Sequence, residues 1–417
     1  MSNDFAIKGN IVYAPKMGEL SVIEQGFIVV RDGKTAEILP EYSGGGVVDY
    51  GNSLIIPGLC DMHLHAPQYA MMGMGMDMEL LPWLQTYTFP EESKYADAAY
   101  AKEVYNRFAQ ALVQAGTTRA CVFGTIHTDT VLMLMEILEQ AGITAYVGKV
   151  NMDRNAPGSL CESVGESLEE TERWLAASMG KFSHVKPMIT PRFVPSCSGP
   201  LLRGLGEIAG KYAIPVQSHL SESRDEVRWV GELEPEAGCY GAAYEQYGLF
   251  GGDTPTVMAH CVHSCADEVR LMAQNKVLMA HCPDSNSNLA SGMADVRGML
   301  DAGVPVALGS DIAGGSSISI LDVAAKAIRI SKLRQAEGRG KCLSLPEAFY
   351  LATSAGAAFF GDAPGFASGA PFHAVVLDDA HMINTQRLSV PERLERAFYL
   401  NRDIHIQAVY ANGKKIL

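Results

Sequence analysis

From Pro57 onward, apolar runs of five to eight residues alternate with stretches whose apolar positions recur every three or four residues. The runs are Leu59–His65, Thr118–Phe123, Thr144–Val150, Val185–Thr190, Pro215–His219, Thr256–His260, Val277–His281 and Pro305–Gly309. Short continuous apolar runs bounded by turn residues predict strands buried on both faces. The amphipathic stretches between them, such as Ala101–Ala115, Thr130–Gln140, Ser167–Met179 and Asp267–Asn275, predict the helices that cover those strands. Strands alternating with helices imply a parallel sheet, and eight of them imply an α/β fold closed into a TIM-like (β/α)8 barrel.

The texture differs on either side of this region. Residues 5–56 show no helical period of useful length and predict short strands at Ala6–Val12, Phe27–Arg31, Glu37–Leu39 and Val47–Asp49. Beyond the last run, Ser344 and Glu347 form an S-x-x-E capping box that predicts a helix over Pro346–Phe360. Strand texture then returns at Ala374–Asp378 and Ile406–Ala411. The C-terminal segment could be an independent module, but neither end alone has enough strands for stability. The expected arrangement is a small β domain built from residues 1–56 plus 365–417 beside a barrel over 57–364.

Composition narrows the function classes. The 33 Lys+Arg and 47 Asp+Glu leave a formal charge of −14, which repels phosphate backbones and argues against nucleic acid or an anionic membrane as a partner. Charged residues are 19% of the chain, and its 41 glycines exceed the roughly 29 expected at average usage, which suits an enzyme with many βα turns. The start, MSNDFAIKGN, has no basic segment followed by an apolar one, and nowhere do eighteen apolar residues run together. Nine scattered cysteines read as reduced thiols, so a cytoplasmic location is expected.

Polar chemistry collects where the predicted strands end. Seven of the eleven histidines (His63, His65, His127, His219, His260, His263 and His281) lie at or just past those ends, where a parallel barrel carries its functional groups. His63 and His65 are two apart on one strand, so both imidazoles face the same side. Alone, such a pair also fits two satisfied polar side chains. Together with His219 on the fifth run and Asp311 after the eighth, it offers three neutral imidazoles and a carboxylate, a set that suits zinc with one position left for water.

The stretch Pro57-Gly58-Leu59-Cys60-Asp61-Met62-His63-Leu64-His65-Ala66-Pro67-Gln68 resembles the first-strand signature of the amidohydrolase superfamily in its guanine deaminase branch. The likeness continues through Trp83-Leu84, Tyr87-Thr88-Phe89-Pro90, Thr125-Ile126-His127-Thr128, Thr190-Pro191-Arg192-Phe193 and Gln217-Ser218-His219-Leu220-Ser221-Glu222. It extends to Val257-Met258-Ala259-His260, His281-Cys282-Pro283 and Ser310-Asp311-Ile312-Ala313-Gly314-Gly315. It implies one catalytic metal per chain (Zn2+, with Fe2+ as the alternative), a homodimer, and hydrolysis of guanine to xanthine and ammonia. Carried over by motif, His63, His65, His219 and Asp311 are the metal ligands. Glu222 becomes the proton shuttle, and His260 stands at the activated water. Gln68, Arg192 and Phe193 line the substrate site with His65, His219, Glu222 and Asp311. The chemistry agrees: a metal brings the pKa of bound water to about 7, Asp311 takes its proton, Glu222 delivers one to a ring nitrogen, and His260 steadies the developing charge.

Each residue also has a plainer reading. Glu222 could favour a helix N-terminus over Arg224–Val230, Asp311 could serve a turn before Gly314-Gly315, and His260 could be a supporting hydrogen bonder. Arg192 could form an ion pair on the barrel rim, Phe193 could cap the core, and His263 and His281 have no assigned role. The methionine-rich run Met71–Glu79 resembles a lid, and equally a dimer contact or a plug. Two residues depart from the family's pattern, Ser287 for a frequent leucine and Ser310 for a threonine. Alternative substrates are 8-oxoguanine, a pterin or a triazine. A two-metal amidohydrolase would need a lysine late on the fourth strand, but Lys186 lies near its start. A non-catalytic scaffold would be expected to have lost ligands that are all present, and the H-x-E and P-C-x-x-C motifs of the other zinc deaminase architecture do not occur.

Overall fold

The computed structural model describes residues 4–417. Four strands open the chain: β1 (Phe5–Tyr13), β2 (Ser21–Arg31), β3 (Lys34–Leu39) and β4 (Val47–Pro57). The barrel strands follow as β5 (Leu59–His65), β6 (Thr117–Phe123), β7 (Thr144–Gly148), β8 (Val150–Asn151), β9 (Val185–Pro187), β10 (Thr190–Pro191), β11 (Val216–Leu220), β12 (Thr256–His260), β13 (Leu278–His281) and β14 (Val306–Leu308). The chain closes with β15 (Ala374–Asp378), β16 (His405–Ala411) and β17 (Lys414–Lys415).

The barrel is two parallel arcs, β5-β6-β7-β9 and β11-β12-β13-β14, joined at two seams. At one seam Ile189 N–H donates to Pro215 O and Gln217 N–H donates to Ile189 O. At the other, Asp311 N–H donates to His63 O (2.8 Å) and His65 N–H donates to Ile312 O (3.0 Å). The first and last barrel strands are therefore neighbours, and their C-terminal ends are held side by side. The expected third and fourth runs are each broken in two, with β8 and β10 forming a separate short pair at the barrel mouth. Small and flexible side chains fill the barrel interior, among them Cys60, Met62, Cys121, Met188, Ala259, Ala280 and Ala307.

The covering helices form for the reasons the periodicity implies, starting one to three residues earlier than expected. Ala98–Gln114 is capped by Asp97, whose carboxylate accepts from Ala99 N–H at 2.8 Å. It buries Ala101, Val104, Tyr105, Phe108 and Leu112 on one face. Complete burial of Phe108 and Leu112 contributes about 1.5–3 kcal/mol each. Gly116, at φ +80°, then turns the chain into β6.

Both chain ends enter one seven-stranded sheet, in the order β17-β16-β15-β4-β1-β2-β3. Its core is Ile7, Ile11, Ile28, Val30, Ile55, Phe372, Ala374, Val376 and Ala408. One local expectation fails. The helix expected over Pro346–Phe360 is two helices, Leu345–Ala352 and Ser354–Phe359, broken at Thr353 (φ −130°, ψ −83°). The Cys60 thiol takes the Thr353 carbonyl (3.2 Å), and Ser354 Oγ donates to Ala14 O (2.8 Å). The interrupted helical bonds are thus replaced by long-range ones. The helix Val390–Tyr399, capped by the Ser389/Glu392 box, was not foreseen. Among the described residues no helix is long and apolar enough to cross a membrane.

Candidate active site and metal centre

Four strand ends bring the imidazoles and Asp311 together. His63 and His65 project from β5, His219 from β11 and His260 from β12, and Asp311 follows β14. The closing seam sets Asp311 beside the first two: its Oδ1 lies 3.2 Å from His63 Nε2 and 3.5 Å from His65 Nε2. Close approach at that seam requires a glycine, since a Cβ at Gly309 would stand 2.9 Å from His63 Cβ. His65 Nε2 and His219 Nε2 face each other at 3.2 Å.

Protonation favours a cation among these atoms. Burial holds His63 below the ordinary imidazole pKa, and His65 and His219 well below it. Burial opposes ionisation of Asp311, but the imidazoles of His63, His260 and His65 outweigh it and hold that carboxyl well below the usual range. His219 Nδ1 donates to the Arg192 carbonyl (2.6 Å), which leaves the Nε2 lone pair for a ligand. Candidate donor atoms of His63, His65 and Asp311 lie within 4.8 Å of one another, as do those of His63, His219 and His260. Neutral nitrogens and one carboxylate converging in a buried space fit a borderline divalent ion.

Glu222 and His260 stand next to this cluster. His260 Nδ1 donates to Asn286 Oδ1 (2.8 Å), and Nε2 lies 3.5 Å from Glu222 Oε2 and 3.7 Å from Asp311 Oδ2. Burial, followed by the neighbouring Glu226 and Asp311 carboxyls, pushes Glu222 well above the usual carboxyl range. Glu226 occupies the N3 position of a capping box on the helix Arg224–Leu233. It accepts from Glu222 N–H (2.9 Å) and from Tyr240 OH (2.8 Å). The helix expected over Arg224–Val230 is present, but the acidic groups of its first turn are Asp225 and Glu226, while the Glu222 side chain faces the cavity and accepts from Ser291 Oγ (3.5 Å). His260 (φ +74°) and Asp311 (φ +48°) both occupy the left-handed region, a costly conformation for non-glycine residues that concentrates at functional sites.

The cluster opens into a cavity with mixed polar and apolar walls, the character of a small-molecule site. It is lined by His65, Gln68, Arg192, Phe193, His219, Glu222, His260 and Asp311, with Leu80, Trp83, Leu84 and Leu289 as apolar walls. His63 lies beneath, 1% exposed. Phe193 lines the cavity and also packs edge-on against Trp229. Arg192 does form an ion pair, but a buried one that faces the cavity: Nη1 meets Glu92 Oε2 at 2.5 Å, with the two side chains 3% and 2% exposed. Gln68 Nε2 donates to the other Glu92 oxygen (2.9 Å).

Sequence reasoning missed Glu92, which lies two residues beyond the quoted Tyr87-Thr88-Phe89-Pro90. Its only signal is the Glu91-Glu92 pair directly after Phe89-Pro90. The methionine run does not line the cavity; the walls on that side come from the residues just after it, Leu80, Trp83 and Leu84. His127, His263 and His281 lie outside the cavity lining. His263 Nε2 contacts the Ser291 carbonyl (2.8 Å), and the His281 ring is fully buried.

A (β/α)8 barrel whose strand ends converge on imidazoles and a carboxylate defines a class of hydrolases. The chain belongs to the Amidohydrolase family, whose profile matches residues 54–416. Among curated relatives, guanine deaminase of Dictyostelium discoideum is 34% identical over 98% of this chain and 97% of that protein. Guanine deaminase of Homo sapiens is 38% identical over 88% of this chain and 83% of its own length. Among solved structures, guanine deaminase from C. acetobutylicum with guanine bound in its active site superposes with a TM-score of 0.96. It is 44% identical and covers 99% of this chain and 100% of that one.

Proposed function

We propose that this chain hydrolyses guanine to xanthine and ammonia, using one zinc ion per chain held by His63, His65, His219 and Asp311. The observation that carries the reading is the shared cavity, in which His65, His219 and Asp311, a buried carboxyl with a raised pKa and a guanidinium–amide pair face one space, with His63 directly beneath. When bound, the zinc ion supplies the Lewis acidity that makes water nucleophilic at neutral pH.

The protein's own groups do the rest. Asp311 and His260 orient the attacking water, and Asp311 accepts its proton as oxygen adds to C2 of the ring. Glu222, whose protonated form burial favours, delivers its proton to N3 in the same step. The Asp311 proton then passes to the exocyclic amine, the C2–N bond breaks, and ammonia leaves. The proton given to N3 stays on the product, and Glu222 regains a proton from the C2 hydroxyl as the new carbonyl forms. Arg192 donates to the carbonyl at position 6, and Phe193 with Trp83 closes the apolar walls. A homodimer belongs to this reading on family likeness.

An ammonia-release assay on metal-analysed protein tests it. Guanine should yield xanthine with about one zinc per chain. Adenine should be rejected by roughly 10⁴-fold in kcat/KM, because its 6-amine places a donor against the Arg192 donors. Comparable adenine and guanine turnover, or two tightly held metals, would overturn the assignment.

A further inference from the structure

Arg192 and Gln68 face the cavity, but neither sets its own orientation. Both are held from behind by Glu92, which is 1% exposed in the short helical turn Phe89–Glu92. One carboxylate oxygen takes Arg192 Nη1 (2.5 Å) and the other takes Gln68 Nε2 (2.9 Å). At its other end, Gln68 Oε1 accepts from Ala313 N–H (3.0 Å). A backbone N–H only donates and a carboxylate only accepts, so these two neighbours allow one orientation of the amide. Phe89, from the same turn, lies under the guanidinium at 5.3 Å from ring centroid to Cζ.

We infer that Glu92 is a positioning and specificity-determining residue, which orients both clamp side chains and cancels the guanidinium charge so that the clamp selects a neutral oxo-purine over an anionic one. This deepens the guanine reading and rests on it for the identity of the substrate. A lone buried guanidinium would attract an anion; paired with Glu92, it presents directed N–H donors without net charge. The product xanthine is more acidic than guanine and becomes anionic at mildly alkaline pH. A charge-neutral clamp therefore also releases the product more readily than a bare cation would.

The test is a double-mutant cycle of Glu92→Gln and Arg192→Gln on the zinc-loaded full chain. It is read by kcat and KM for guanine and by calorimetric binding of xanthine at pH 6 and pH 9. Glu92→Gln should lower kcat/KM by about 30–300-fold, whereas the same change added to Arg192→Gln should cost less than about 3-fold. Xanthine affinity at pH 9 relative to pH 6 should rise about 10-fold or more in Glu92→Gln over the unmodified chain, and this gain should vanish in the double variant. A residue that merely supported the fold would move neither the coupling nor this pH ratio. Breaking one half of a buried pair destabilises the chain. The double variant leaves no unpaired charge at the Glu92–Arg192 position, so comparing it with Arg192→Gln remains informative if Glu92→Gln does not fold. Fully multiplicative losses, or an unchanged xanthine pH ratio, would overturn the role of Glu92. An unmodified chain inert towards guanine would instead overturn the proposed function, while xanthine binding, which needs no turnover, would still report on the clamp.

Discussion

The proposed metal cluster and the proposed substrate clamp meet at one cavity but are built differently. The cluster hangs from the ends of β5, β11, β12 and from the segment after β14, whose positions the barrel's hydrogen bonds fix on both sides. The clamp depends on helical turns in the long connection after β5, where Gln68 and Glu92 sit, together with Arg192 just past β10. A strand end tolerates little displacement, so ligation comes with the fold. The clamp has to be locked by its own hydrogen bonds, and Glu92 supplies that lock. The contrast suggests that chemistry and substrate choice can vary separately on this scaffold.

The largest effect should come from the cluster. His63→Ala should lose metal and measurable turnover together, read by elemental analysis and ammonia release, because His63 lies under the cavity with Asp311 at 3.2 Å. A variant that kept both would show that the ligand set is misassigned. A smaller loss should follow Glu222→Gln. The amide keeps the shape but cannot carry a proton, so kcat should fall by about 10²–10⁴-fold with folding and metal content retained. Near-normal turnover there would move proton transfer to His260.

The smallest effect lies outside both regions and concerns stability. Burial, with some help from His260, pushes His281 down to about 3. An unfolded chain protonates that ring near pH 6.5. Between those values the unfolded state binds the extra proton, so this contribution is complete above about pH 6.5 and is lost as pH falls towards 3. In thermal melts on metal-free protein, His281→Asn should flatten the decline of Tm between pH 6.5 and 4. An unchanged slope would mean that the ring is protonated in the folded state.

The same contrast explains what could be read in advance. His63, His65, His219, His260 and Asp311 were legible because a two-residue strand period and the rule that barrels work at their C-terminal ends place them without knowledge of distant contacts. The small sheet was legible because neither chain end had enough strands alone. The helix Val390–Tyr399 carries a readable signal in the S-x-x-E box of Ser389 and Glu392. The break at Thr353 had none, because it depends on Cys60 and Ala14, which come near it only in the folded chain. Glu92 sits in a stretch with no steady period, and its charge makes sense only once Arg192 is beside it.

The seam between the first and last barrel strands has a consequence for biosynthesis. His63 and His65 leave the ribosome early, but Asp311 belongs to the far end of the barrel, bound to them through the His63 and Ile312 carbonyls. A nascent chain holding only the first histidines presents two imidazoles and no carboxylate partner, a weak and unselective trap for any passing cation. The complete donor set exists only when the last strand docks against the first. On the proposed ligand set, ring closure and selective metal capture are then the same event, late in the life of the growing chain, and a chain stalled before that strand carries neither.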